Sequence, residues 1–171
     1  MKKTLYPIFL ALVAFVAISC DNEPLEGEFG DLDAAQNNSS NFTATINGET
    51  FVADAAAASI TDDFISISGG KLDGEGISII IQGNAEGDYV LTSEVGVGSY
   101  FAAGNSNGYV TNGEDESDNI VITNINSDLL TISGTFSYTA LREVTAEDGS
   151  VEVLTVEITG GSFTNIPYTV L

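Results

Sequence analysis

The sequence contains no histidine and no tryptophan, a single cysteine, three prolines and only four cationic residues. Without histidine there is no Ser-His-Asp triad, no Cys-His dyad, no imidazole ligand for zinc and no imidazole base near neutral pH. The lack of tryptophan removes the broadest platform for stacking on a sugar, although tyrosine and phenylalanine still offer ring faces. One cysteine cannot form a disulfide within the chain, so stability must come from an ordinary hydrophobic core. Four cations stand against 25 acids, giving a formal net charge of −21. That field repels nucleic acid and anionic headgroups, and neither a basic fork nor a phosphate-cradling glycine loop is present. DNA, RNA and polybasic membrane docking are therefore excluded, and no cofactor fingerprint occurs.

Long hydrophobic runs are scarce too, with one exception. Met1-Lys2-Lys3 precedes an uncharged, mostly apolar stretch from Leu5 to Ile18, which stops at Ser19-Cys20 and the polar Asp21-Asn22-Glu23. A basic start, a short apolar run and a small residue before the cut make a secretory signal. The run falls short of the roughly 20 apolar residues that span a bilayer comfortably. Ala17-Ile18-Ser19-Cys20 resembles a lipobox, with Ala17 where leucine is usual, which implies diacylation of the Cys20 thiol. Two acyl chains anchor a protein stably, whereas one holds it only marginally. The chain divides into residues 1–19, a lipoprotein signal peptide; residues 20–40, the lipidated cysteine and an acidic flexible tether; and residues 41–171, one domain. The tether carries six acids and few apolar residues, and as a coil would span roughly 25 Å. The expected address is the bacterial outer membrane, lipid-anchored, on the periplasmic or cell-surface side.

From Asn41 onward the hydrophobic period is two. Phe42, Ala44 and Ile46 alternate with threonines, and Asn47-Gly48 then leads to Thr50-Phe51-Val52-Ala53. Asn-Gly between alternating segments is a strong hairpin signal, because both central turn residues need positive φ. Ile77, Ile79 and Ile81 alternate similarly, and Ile80 predicts that the opposite face is partly covered as well. Gly87–Leu91 and Ile120–Thr123 are shorter strand candidates. Leu130 to Ala140 places Leu130, Ile132, Gly134, Phe136, Tyr138 and Ala140 on one face and hydroxyl residues on the other. Gly134 marks a bend or a close neighbour. After the Glu147–Ser150 turn the parity slips between Val153 and Leu154, which predicts a bulge there, and Gly160-Gly161 leads into a last strand around Phe163 and Ile166. The Ala55–Ala58 run reads as strand or connector. Short strands at regular spacing predict an all-β fold, an antiparallel β-sandwich, with a closed or partly open β-barrel as the alternative.

The opening pattern F-x-A-x-I-N-G-x-x-F-x-A is carried by Phe42, Ala44, Ile46, Asn47, Gly48, Phe51 and Ala53. With Ile132-Ser133-Gly134-Thr135-Phe136 and a closing Gly161-Ser162-Phe163, it resembles the uncharacterised lipoprotein domains common in Bacteroidota. The resemblance spans most of residues 41–171 and implies a fold and an address. It implies no activity, because its motifs are turn and core residues. Asp21-Asn22-Glu23 partly matches the acidic surface-export signal of that phylum.

Two stretches are candidate sites. Glu114, Asp115, Glu116 and Asp118 crowd one loop, and calcium takes six to eight oxygens from such carboxylates. No EF-hand spacing is present, and acid runs in turns also occur simply as solvated charge. Tyr100, Phe101, Asn105, Asn107 and Tyr109 combine ring faces with amide groups able to bind a glycan or a peptide. The alternative is a hairpin loop with its aromatics turned inward. Paired-carboxylate hydrolysis has no support in spacing, since the acids fall at turns and edges. The expected function is a non-enzymatic envelope lipoprotein, binding or structural. The alternative is a ligand-binding surface lipoprotein for a glycan, a small apolar molecule or calcium. Its partners are the membrane through the N-terminal lipid and an unidentified protein or glycan.

Overall fold

Where the period-two pattern is strongest, isoleucine and phenylalanine supply strands with one buried face, and glycine, asparagine and aspartate bend the chain between them. The computed structural model describes residues 41–105 and 107–171; the signal segment, Cys20 and the tether lie outside the described residues. The strands are β1 (Asn41–Ile46), β2 (Glu49–Val52), β3 (Ala55–Ile60), β4 (Phe64–Gly70), β5 (Gly76–Gln82), β6 (Gly87–Val90), β7 (Gly96–Phe101), β8 (Tyr109–Val110), β9 (Asn119–Asn126), β10 (Thr131–Thr145) and β11 (Val151–Val170). No helix occurs among the described residues, hence none that is long and apolar enough to cross a membrane.

The all-β expectation holds. All eleven strands join one sheet in the order β2-β1-β11-β3-β4-β5-β7-β8-β10-β9-β6, and β10 also pairs with β11. The pairings therefore run from β11 through β3, β4, β5, β7, β8 and β10 back to β11, with β1–β2 and β9–β6 as branches. Every pairing is antiparallel except β11–β3, where Tyr168, Thr169 and Val170 lie parallel to Ala58, Ser59 and Ile60. The Asn47-Gly48 turn forms as expected, with φ of 49° and 87°. Asn47 also docks the hairpin, its Oδ1 accepting from the Glu157 N–H at 2.9 Å.

Three readings of β9 to β11 need correction. Leu130 is not on the core face; it is exposed, with φ 51°, because the β9–β10 turn around Asn126 carries it past the sheet. The expected bulge after Val153 is absent, since pairing runs without a shift from Tyr138↔Ile158 to Thr145↔Val151. The extra residues enter β11 at Thr159-Gly160 and at Thr164-Asn165, where Gly160 (φ 57°) and Asn165 (φ 51°) adopt the left-handed conformation that accommodates a bulge. Gly160-Gly161 consequently bends one continuous strand and does not separate two.

The core is built from the inward residues of this pattern. Ile65, Ile67, Ile77, Ile79, Ile81, Ile120, Ile122 and Ile132 are fully buried, each contributing roughly 1.5–3 kcal/mol of transfer free energy. Phenylalanine rings fill the region between β1, β2, β10 and β11. Phe42 lies 5.3 Å from Phe136 and meets Phe51 edge-on at 6.2 Å, and Phe163 stacks 6.3 Å from Phe136. Glycines make room for these rings: a Cβ at Gly69 would strike Phe42, and one at Gly161 would strike Phe136.

Candidate functional site

The alternation that turns Ile65, Ile67, Ile77, Ile79 and Ile81 inward sends their neighbours on β3, β4, β5, β7 and β8 outward. Strand register aligns those neighbours in rows. One row reads Ser59, Ser66, Ile80, Val97; the next reads Ala57, Ser68, Ser78, Ser99, Val110. Phe64 and Gln82 border the face at one end, and Gly70, Gly76 and Phe101 at the other. No outward position on these five strands is charged, in a chain with 25 acids. Two hydroxyls turn back onto the sheet, Ser99 Oγ donating to the Ser78 carbonyl at 3.0 Å and Ser68 Oγ to that of Ala57 at 3.5 Å. The large side chains that project from this face are mostly apolar: Phe64 is 47%, Ile80 43%, Val97 37% and Val110 46% exposed. Ile80 and Val97 thus keep less than half of their surface exposed, so this side is covered only in part.

Two grooves cut this face. One of about 370 Å³ runs past Phe64, Ile80, Gln82, Glu94 and Val97. The other, about 360 Å³, lies over Ala55, Ala57, Ser68 and Gly70 beside Asp54 and the projecting Leu72. Carboxylates stand at both ends of the face. Asp62 and Asp63 in the β3–β4 turn and Glu94 before β7 mark one end, and Asp54 and Asp73 the other.

The aromatic and amide residues from Tyr100 to Tyr109 are divided between inside and outside. Tyr100 is buried and its hydroxyl donates to Glu75 Oε1 at 2.8 Å. Burial, reinforced by the Glu75 carboxylate, pushes the Tyr100 phenol well above its ordinary pKa, so it remains a donor. Tyr109 packs 6.0 Å from Tyr100 and carries the Arg142 guanidinium 4.8 Å above its ring. Phe101 points outward, Asn105 Oδ1 accepts from the Asn107 N–H at 3.0 Å, and the Asn107 carbonyl accepts from Arg142 Nη1 at 3.3 Å. Tyr100 and Tyr109 thus meet each other beneath the sheet, while Phe101 and the amides lie outside.

Glu75 also receives Lys71 Nζ at 2.6 Å, and that ammonium lies 4.9 Å over the Phe51 ring. The hydrogen bond to Glu75 raises the Lys71 pKa further. A polar cleft of about 370 Å³ opens here, lined by Asn47, Glu49, Thr50, Phe51, Lys71, Glu75 and Tyr100. Both Glu75 oxygens are occupied by donors, so the cleft presents a satisfied ion pair and one further carboxylate, Glu49. Both cations of the described chain are engaged, Lys71 by Glu75 and Arg142 by Tyr109 and Asn107.

The acidic loop separates its members. Asp115 Oδ1 accepts from the Ser117 hydroxyl at 2.7 Å and the Ser117 N–H at 2.8 Å, which lowers its pKa. Glu114 and Glu116 are exposed. Asp118 turns inward, 2% exposed, with Oδ1 accepting from the Thr139 N–H at 2.8 Å and Oδ2 without a protein partner. Desolvation raises its pKa. Among the described residues no group of three or more His, Cys, Asp or Glu is placed to hold a metal ion.

The uncharged face does not stand out from hydropathy alone, although the sequence carries a signal for it. Positions 64, 66 and 68, then 78, 80 and 82, then 97, 99 and 101, avoid charge in register with the buried positions. Ile80, which breaks the alternation, is the visible tip of that pattern. No curated protein and no solved structure matches the chain. One family model does: residues 38–167 match a domain of unknown function, and the chain belongs to that family, DUF6252.

Proposed function

We propose that this chain is a lipid-anchored outer-membrane lipoprotein of the Bacteroidota type, whose β-domain is a non-enzymatic module that docks a partner on its uncharged face. The observation that carries the reading is the apolar relief of Phe64, Ile80, Val97 and Val110 on an outward sheet surface free of charge. Contiguous apolar surface rimmed by polar residues marks interaction sites on folded domains. Its rigidity suits docking, because the strands beneath are held by the isoleucine core. Catalysis finds less support: Glu75 is held by two donors, and Asp118 lines none of the grooves described. The lipid anchor rests on Ala17-Ile18-Ser19-Cys20 and its acidic sequel.

Two measurements test this reading. Cys20→Ser should release the chain from the membrane fraction, and retention would refute the lipid anchor. Docking is tested by maleimide labelling of Ile80→Cys and of Ser127→Cys, an exposed control in the β9–β10 turn. In purified protein both should label quickly. In intact envelopes Ile80→Cys should be protected at least tenfold while Ser127→Cys is not, and equal labelling would refute docking.

A further inference from the structure

The charge pattern around the face constrains what can sit on it. Its centre is neutral, with Ile80 and Val97 standing among serines, while Asp62, Asp63 and Glu94 stand at one end and Asp54 and Asp73 at the other. Neither end has a free cation among the described residues. Lys71, which borders the second groove, is bound to Glu75 at 2.6 Å, and Arg142 is stacked on Tyr109. An uncharged centre carrying Ile80 and Val97 between two carboxylate borders is complementary to an uncharged, partly apolar segment flanked by positive charge.

Building on the docking reading above, we infer that the occupant is an extended polypeptide whose apolar side chains cover Ile80 and Val97 and whose lysine or arginine residues reach the carboxylates at the two ends. Four strands about 4.8 Å apart and six to seven residues long, with the two-residue β8 beside them, give a face of roughly 400 Å², near half of the ~800 Å² per partner in a standard stable interface. A second copy is disfavoured by that area and by its acids, which would bring carboxylate borders together. Anionic lipid is disfavoured by the same field. Cationic flanks supply attraction where apolar area alone is too small, so binding is weak, fast and sensitive to salt.

The probe is a pair of blocked nine-residue peptides, Lys-Val-Thr-Val-Ser-Val-Thr-Val-Lys and the same peptide with glutamate at both ends. Each is titrated into the isotopically labelled full chain in uncharged detergent, with micelles alone as control, and followed by backbone amide shifts. The lysine peptide should shift the amides of Ile80, Val97 and Val110 saturably, and the glutamate peptide should not. Raising salt from 20 mM to 300 mM should weaken binding by about fivefold or more, as screening of the flanking charges requires. Ile80→Asp should abolish the shifts on β5 and β7 while leaving the remaining spectrum folded, and Val97→Ser serves as a milder variant with a smaller loss. Equal binding of both peptides, or shifts confined to the acidic loop around Asp115, would overturn the inference. So would self-association that strengthens with salt, or perturbation of these strands by neutral lipid vesicles in place of peptide. If neither peptide binds while Ile80→Cys remains protected in envelopes, the docking face stands and the cation-flanked occupant is wrong. If Ile80→Cys is unprotected, the docking reading itself has failed.

Discussion

Gly134 and Asp118 show how single residues constrain this fold in opposite ways, one by size and one by charge. A Cβ at Gly134 would collide with the Val121 carbonyl and the Phe163 ring, both part of a packed sheet that cannot retreat. Gly134→Ala should therefore cost toward the upper end of the roughly 1–3 kcal/mol typical of overpacking. At Gly149 the limit is backbone conformation, with φ 83° and open space where a Cβ would stand, so Gly149→Ala should cost roughly 1–2 kcal/mol. Urea midpoints of the two variants measure the contrast, and a Gly134→Ala protein as stable as wild type would contradict the packing described. Asp118 is held above its ordinary pKa by desolvation. A carboxyl with a raised folded-state pKa binds protons more readily folded than unfolded, so its ionisation costs stability above that pKa. Lowering the pH from 7 toward 4 should accordingly shift stability in favour of wild type relative to Asp118→Asn. A pH-independent difference between the two would show that Asp118 is not strained by burial.

At the scale of elements, β11 behaves as two different strands. From Val156 to Tyr168 its inward side chains are buried, and Phe163→Ala should cost about 3–5 kcal/mol through lost contacts and the cavity left behind. From Val151 to Leu154 it forms only the far end of a hairpin with β10, beyond the reach of β1 and past β8's single pairing at Leu141. Val151→Lys and Val153→Lys should each change stability by less than about 0.5 kcal/mol. Denaturation of the three variants side by side checks this, and a large loss at Val153 would mean that a further element covers the hairpin. Much of this was legible in the sequence. Asn47-Gly48 declared its hairpin because two successive positive φ values admit few other residues, and Ile132 to Ala140 declared its core face by strict alternation. The bulges were not legible in place, because Gly160 and Asn165 become left-handed only through pairing with a distant strand. The parallel β11–β3 contact was hidden for a similar reason, since period two is the same in either strand direction. Of the candidate sites, the sequence showed which residues were aromatic or acidic but not which way they faced. Tyr100 and Asp118 turned inward because strand parity, fixed by their isoleucine neighbours, took precedence over their polarity.

For the whole molecule the dominant quantity is charge. A formal net charge of −21, with both cations of the described chain already engaged, means that folding gathers carboxylates with little to neutralise them. Self-repulsion of this kind destabilises the compact state and is screened by salt. Raising sodium chloride from 20 mM to 1 M should therefore lift the thermal midpoint by several degrees, even though the Lys71–Glu75 pair weakens under the same screening. Divalent cations at matched ionic strength separate general screening from a specific site. Asp115 is committed to Ser117 and Asp118 faces Thr139, so the acidic loop has no converging set of oxygens as it stands. Calcium should accordingly raise the midpoint no more than magnesium does. A calcium-specific rise that disappears in Asp115→Asn would show that the loop rearranges to form a site, drawing Asp118 away from Thr139. It would also place a ligand within reach of β10, on a part of the molecule whose charge character is the opposite of the neutral face, and would make the acids functional where screening alone makes them a solvated, repelling surface.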